Sequence, residues 1–263
     1  MDWLLWPSSL IPLSLMAVAG WMYSLPRENV NLVDSLWPLF FLAATLTYVA
    51  QEPGTRAMLI AILVTAWSLR LAIHLALRNY GQPEDHRYRA IRNNYSPGFG
   101  WKSLFIVFGL QAVLAWLISL PLFVAAISNT PWNALDIAGV VVMIAGLLFE
   151  TVADRQLSDF RSDPENKGHV LDTGLWAWSR HPNYFGEACV WVGFGLIGVA
   201  AGSLWSLTAS LIMTGLLLKV SGISLLEKDI VERRPAYRDY IASTSAFIPW
   251  PPHTRSQLKG DSA

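Results

Sequence analysis

The chain has 263 residues, 53% of them hydrophobic and only 14% charged, and its 19 Lys and Arg balance its 19 Asp and Glu. Soluble domains carry about a quarter charged residues, so the deficit indicates a membrane protein, and the neutral balance offers nothing to a nucleic-acid backbone. The single cysteine, Cys189, excludes an internal disulfide and a thiolate metal cluster.

Seven apolar segments approach the roughly 20 residues that a bilayer core demands of a helix. The first, about 3–24, lacks the basic start of a cleaved leader and reads as a retained span. The second, about 31–50, carries Asp34 roughly one turn in from its start. The third, about 57–77, ends with Arg70 and His74, which share a helical stripe with Arg78 at i, i+4 and i+8. A connection at 78–103 follows, "LRNYGQPEDHRYRAIR" at its start, interleaving cations with Tyr80 and Tyr88. The fourth and fifth spans, about 104–127 and 134–153, are followed by a polar connection over 154–183. Glu150 and Asp154 lie one turn apart at the end of the fifth. The sixth, about 186–201, is short and leads through "AAGS" into the seventh, about 203–226, which predicts a tight hairpin. Lys219 falls in that last span and the tail runs from 227 to 263.

Basic residues gather on alternate connections. Segment 78–103 has Arg78, Arg87, Arg89, Arg92 and Lys102, segment 154–183 has Arg155, Arg161, Lys167 and Arg180, and the tail has Lys228, Arg233, Arg234, Arg238, Arg255 and Lys259. The connections between these have only Arg56. The positive-inside rule then places the N-terminus outside and the C-terminus in the cytosol. The expected fold is one all-α domain over 1–263, a seven-helix integral-membrane bundle, with 78–103, 154–183 and 227–263 on the cytosolic side.

Ionisable groups within spans are costly and usually face the protein interior or a wet cavity. By this topology Asp34 and the Arg70 stripe lie at similar depth near the cytosolic face, which predicts a polar pocket there. Spacing alone leaves open whether Asp34 touches that stripe. Arg suits phosphate because its planar fork donates two hydrogen bonds at once. A basic loop lying against anionic lipid explains the arginines equally well. It does not explain Asn183 and Glu187, i, i+4 neighbours entering the bilayer. "GFGLIG" at Gly193, Gly195 and Gly198 matches a dinucleotide fingerprint by letters only, since no strand precedes it. With Gly202 it reads instead as small residues for helix packing. The five histidines show no metal-ligand spacing, and no metal is expected.

The stretch "GLWAWSRHPNYFGE", then a helical hairpin and "LLEKDIVERRPAYRDYIASTSAFIPW", closely resembles the integral-membrane steroid 5α-reductase superfamily. "WSLRLAIHLALR" and "EDHRYRAIR" look like its bacterial branch, long filed as a domain of unknown function, and the resemblance covers about residues 30–252. Sterol reductases and isoprenylcysteine carboxyl methyltransferases share its C-terminal half. The resemblance implies NADPH held on the cytosolic side of a bacterial inner-membrane protein, acting as a monomer on a steroid or isoprenoid enone that enters from the lipid. Asn183 and Glu187 match the residues that bind the nicotinamide end, with Arg180, His181 and Tyr184 beside them in the same motif. Asp154 and Arg161 match an Asp and Arg that reach the cofactor, Arg70 and Arg78 match basic residues facing it, and Glu227, Arg234 and Tyr237 lie in the tail that closes over it. The family's Gln-Glu pair and Tyr, which hold the substrate carbonyl, have no plain counterparts. Gln51-Glu52 falls on the outer face, Asp34 is nearer the Glu position, and Trp67 stands about where the Tyr would. Asp34, Trp37 and Trp67 are therefore the expected substrate-side residues, with a protonated Asp34 as hydrogen-bond donor to the ketone. The alternatives are methyl transfer from S-adenosylmethionine and a non-catalytic lipid-binding or transport protein.

Overall fold

A computed structural model describes residues 2–220, 223, 227 and 230–252, apart from the side chains of Val220 and Arg233. Among these residues every regular element is a helix and no strand forms. The helices are α1 (Leu10–Ser24), α2 (Leu32–Gln51), α3 (Thr55–Asn79), α4 (His86–Asn94), α5 (Phe99–Ile118), α6 (Leu120–Ile127), α7 (Ala134–Ser162), α8 (Pro182–Ala200), α9 (Ser206–Gly215), α10 (Ile230–Arg233) and α11 (Tyr237–Ser243). Six helical segments are long and apolar enough to cross a membrane: Trp3–Arg27, α2, α3, α5, α7 and α8. The expected seventh span is represented by the shorter apolar helix Ser206–Lys219, about 21 Å at 1.5 Å per residue. Residues 221, 222 and 224–226 of that span lie outside the described residues. So do Lys228, Arg255, Lys259 and the Arg233 side chain of the basic tail.

The chain divides into two compact units, 1–133 with 198–209, and 134–197 with 210–263. In the first, the aromatic rings of Phe40, Phe41, Tyr48, Trp67, Phe108 and Phe123 are fully buried. Pro121 has no N–H to offer the preceding turn, and the chain breaks at Ser119 between α5 and α6. The eight residues of α6 are all buried, as expected of a helix that is apolar on every side. Arg56 is buried rather than loose on its connection: its guanidinium donates to the Thr130 carbonyl at 3.0 Å and the Pro131 carbonyl at 3.2 Å.

The second unit is organised by α7 against α8. Gly139 faces Gly193 and Gly146 faces Gly186, an antiparallel register that repeats every seven residues. A Cβ on Gly139 would fall 2.7 Å from the Gly193 carbonyl oxygen, and one on Gly193 would fall 2.6 Å from that of Gly139. The Gly146 and Gly186 pair is equally tight, at 2.6 and 2.8 Å. Only glycines permit backbones this close, the usual device of helices packing in lipid. On the other side of α7, Ile137, Val141, Ile144, Leu148 and Val152 form an exposed apolar stripe that suits acyl chains and not water.

The hairpin through "AAGS" forms, with Gly198 in close packing as read in the sequence and one difference at Gly202. Gly198 packs against Ser206 and Pro121. Gly202 is the turn residue itself, at φ +105°, a conformation that excludes other residues. Replacing Gly186 with Ala is expected to lower stability by about 1–3 kcal/mol through overpacking. Gly215→Ala, where a Cβ meets nothing within 4 Å, is expected to be neutral or stabilising by about 0.5–1 kcal/mol. Thermal midpoints in detergent compare the two.

Candidate functional site

The motif R-H-P-N-Y-x-G-E turns a connection into a helix. The His181 carbonyl accepts from the Phe185 N–H at 3.2 Å, and Pro182 follows at the first helical position, where a missing N–H costs nothing. This sets Asn183, Tyr184 and Glu187 on the first two turns of α8, directly beside the polar end of α7. Gly186 makes that possible: its Cα lies where a Cβ would reach the Glu150 backbone nitrogen at 2.6 Å. Asn183 Nδ2 donates to Asp154 Oδ1 at 3.0 Å, joining two residues that the sequence separates by a long connection. Glu187 is buried and accepts from Trp191 Nε1 at 3.0 Å. The Tyr184 ring stacks on His181, with centroids 5.6 Å apart.

Arg180 and His181 face the tail. Arg180 makes a two-pronged bond to Glu227, Nε to Oε1 at 2.8 Å and Nη2 to Oε2 at 2.9 Å. Its third nitrogen, Nη1, donates to the Thr244 carbonyl at 2.5 Å and the Ile241 carbonyl at 3.2 Å. His181 Nε2 lies 2.9 Å from Glu227 Oε1. Burial disfavours the Glu227 carboxylate, yet the hydrogen bonds from His181 and Arg180 outweigh it and hold its pKa at about 2. Tyr240 donates to the Trp176 carbonyl at 2.5 Å, while Tyr237, buried and edge-on to it at 5.2 Å, is pushed up to about 12 by burial and then by Glu227. An open cleft of about 410 Å³ lies beside this clasp, bounded by Arg180, Thr244, Ser245 and Trp250 among others.

A separate polar cluster lies in the first unit. Asp34 Oδ1 accepts from the Tyr88 hydroxyl at 2.5 Å, and Oδ2 lies 3.4 Å from Arg87 Nη2 and 3.7 Å from Arg78 Nη2. The stripe read on α3 therefore does reach Asp34, through Arg78. Gln111 Nε2 approaches the Tyr88 oxygen at 3.4 Å, and Gln111 Oε1 is buried without a partner. Asp85 caps α4 through the Arg87 N–H at 2.9 Å, and Glu84 holds Arg92 through two bonds of 2.8 and 2.7 Å, which fixes α4 over the start of α2. Pro38 leaves the Asp34 carbonyl without its helical N–H partner, though α2 runs on unbroken through it. Burial, and then Asp34, push the Tyr88 phenol well up, so it stays a hydrogen-bond donor at neutral pH. Trp37, Phe41 and Trp67 form an edge-on ladder, with centroids 5.1 and 5.7 Å apart.

Of the residues marked in the sequence, Asp154, Asn183, Tyr184, Glu187, Arg180, His181, Glu227 and Tyr237 are thus gathered in the second unit. Asp34, Trp37, Trp67 and Arg78 are in the first, where Arg70 is half-buried on α3. Arg161 and Arg234 are exposed. Gln51 bonds Ser8 at the far end of α2, about 25 Å from Asp34 along the helix. Arg87, Tyr88, Gln111 and Tyr240 escaped the sequence reading. The first two stand in "EDHRYRAIR", which carries the resemblance without assigning them a role.

These features define a helical, multi-pass membrane protein with a polar site where a connection enters the membrane. The chain belongs to the family described as Protein of unknown function (DUF1295), whose model matches residues 20–244. It is 28% identical over 264 residues to an uncharacterized protein of Schizosaccharomyces pombe, across 87% of this chain and 75% of that one. No solved structure matches.

Glu227 ionises near 4.5 when unfolded and near 2 in place, so its stabilisation is complete above pH 4.5 and is lost as pH falls from there toward 2. The effect is on the order of 2–3 kcal/mol. The thermal midpoint should drop over that window in the native protein, while Glu227→Gln should show a lower midpoint at pH 7 and a flatter response to acid.

Proposed function

We propose that this protein is a membrane-embedded, NADPH-dependent reductase of a carbon–carbon double bond conjugated to a ketone, on a hydrophobic steroid or isoprenoid substrate. The observation that carries the proposal is the meeting of Asn183 with Asp154 at the head of α8. Two residues marked by the resemblance to the steroid 5α-reductase superfamily, 29 positions apart, converge beside the buried Glu187. The orientation that suits this reading has the basic connections in the cytosol, where NADPH is found.

The residues fit the cofactor in part. Asn183 carries both a donor and an acceptor, as a carboxamide partner should. Arg180 and His181 fit less well as direct phosphate ligands, because every Arg180 nitrogen already donates within the protein. Their role in this reading is to hold the tail. NADPH would supply the hydride. The chain's own residues would orient it, exclude water and polarise the acceptor. In the first unit both Asp34 oxygens already accept hydrogen bonds, from Tyr88 and Arg87, so Asp34 is not placed to donate to a ketone.

The commitment of Arg180 to Glu227 also favours a second reading, methyl transfer from S-adenosylmethionine, which needs no cations for a 2′-phosphate. Thermal shift and native mass spectrometry with each nucleotide separate the two. The reductase predicts binding of NADPH, at least tenfold weaker in Asn183→Ala. Binding of S-adenosylmethionine alone would move the assignment to methyl transfer.

A further inference from the structure

The stretch Ser245–Trp250 is neither a helix nor a free end. It runs beside the entry to α8, tied to it by three bonds in order: Arg180 N–H to the Ser245 carbonyl at 2.8 Å, Ser179 Oγ to the Phe247 carbonyl at 2.9 Å, and Trp250 N–H to the Trp178 carbonyl at 2.9 Å. Its level relative to the membrane follows from two independent links to spanning helices. Trp176 Nε1 donates to the Ala153 carbonyl at 3.0 Å, and Ala153 is the last residue of α7 before its charged extension at Asp154 and Arg155. Phe247 stacks edge-on against Phe185 at 5.8 Å, which stacks in the same way against Phe149 at 5.6 Å. Phe149 lies one turn inside the apolar part of α7. The segment is therefore held where hydrocarbon gives way to headgroups.

At that level it exposes what such a boundary selects. Ile248 and Trp250 are each 63% exposed and Trp178 is 45% exposed, while Phe247 points toward the helices. Tryptophan is enriched there because one ring can meet both acyl chain and headgroup. Two prolines follow, Pro251 and Pro252, which cannot donate backbone hydrogen bonds. The exposed face has no charged side chain between Ser245 and Pro252.

We infer that residues 245–250, with Trp178, form an interfacial strap whose exposed face is covered by the headgroup–acyl boundary of the bilayer. The tail is thereby fastened at two points of different chemistry, the Glu227 clasp on the protein and the strap in the lipid. Loosening of the tail then depends on the lipid as well as on the clasp.

A nitroxide attached at Ile248→Cys or Trp250→Cys, in a Cys189→Ala background and in phosphatidylcholine–phosphatidylglycerol vesicles, reads this directly. Ser158→Cys, on the exposed polar extension of α7, serves as the aqueous reference. The strap predicts that both labels collide preferentially with oxygen over a water-soluble nickel chelate, several-fold more so than the reference. Ile248→Cys decides alone if the tryptophan variant fails to fold. Labels that match the reference would place the segment in water, and labels shielded from both quenchers would mean that protein covers it. Either result overturns the inference.

Discussion

How closely α7 and α8 approach determines what the second unit can do. In lipid there is little hydrophobic force between helices, so van der Waals contact and hydrogen bonds must hold them. Two reciprocal glycine pairs give the backbones that contact. The consequence appears one and two turns further on, where side chains at the polar end of α7 meet those opening α8. Asn183 reaches Asp154 only because Gly186 lets the helix start lie against Glu150. A separation wider by one methyl would lengthen that bond beyond hydrogen-bond range.

The two polar clusters handle charge differently. Around Asp34, a phenol and two guanidinium groups meet the carboxylate, Asp85 takes a closer share of Arg87, and solvent reaches Arg78. Around Glu227, one carboxylate is fully matched by a two-pronged arginine and a histidine. A charge-matched pair that also satisfies two backbone carbonyls is the arrangement in which burial costs least. The first is shared among several groups and partly open to solvent. The second is closed on itself.

Much of this was legible in the sequence, for identifiable reasons. Helical content and six of the spans follow from length and hydropathy, quantities that average over many residues and tolerate local error. The hairpin was also readable; the resemblance marked Asp154 and Asn183 separately for the cofactor, and their bond to one another is a finding of the structure. What could not be read were the partners of each charge. Nothing in "SRHPNYFGE" says that Arg180 turns to Glu227 and His181 follows it. Tyr88 lay hidden because its role depends on α4 folding back over α2, and the Glu84 and Asp85 bonds that fix it are ordinary residues in an ordinary loop. Gly202 was misassigned to packing because spacing cannot distinguish a helix contact from the turn that ends the helix.

In α5 the segment Leu104–Gly109 is π-helical, and Gly109 tolerates it because a side chain there would meet the Leu104 carbonyl at 2.9 Å. A π turn takes up one residue more than an α turn, so it rotates everything beyond it by about 100° about the helix axis. Gln111 lies just past that step, and its direction toward Tyr88 is a product of it. The helix thus carries a local count error that the fold converts into aim. Deleting one residue between Gly98 and Gln111 would therefore present a different face of α5 to the Asp34 cluster, with no change in any residue that lines it.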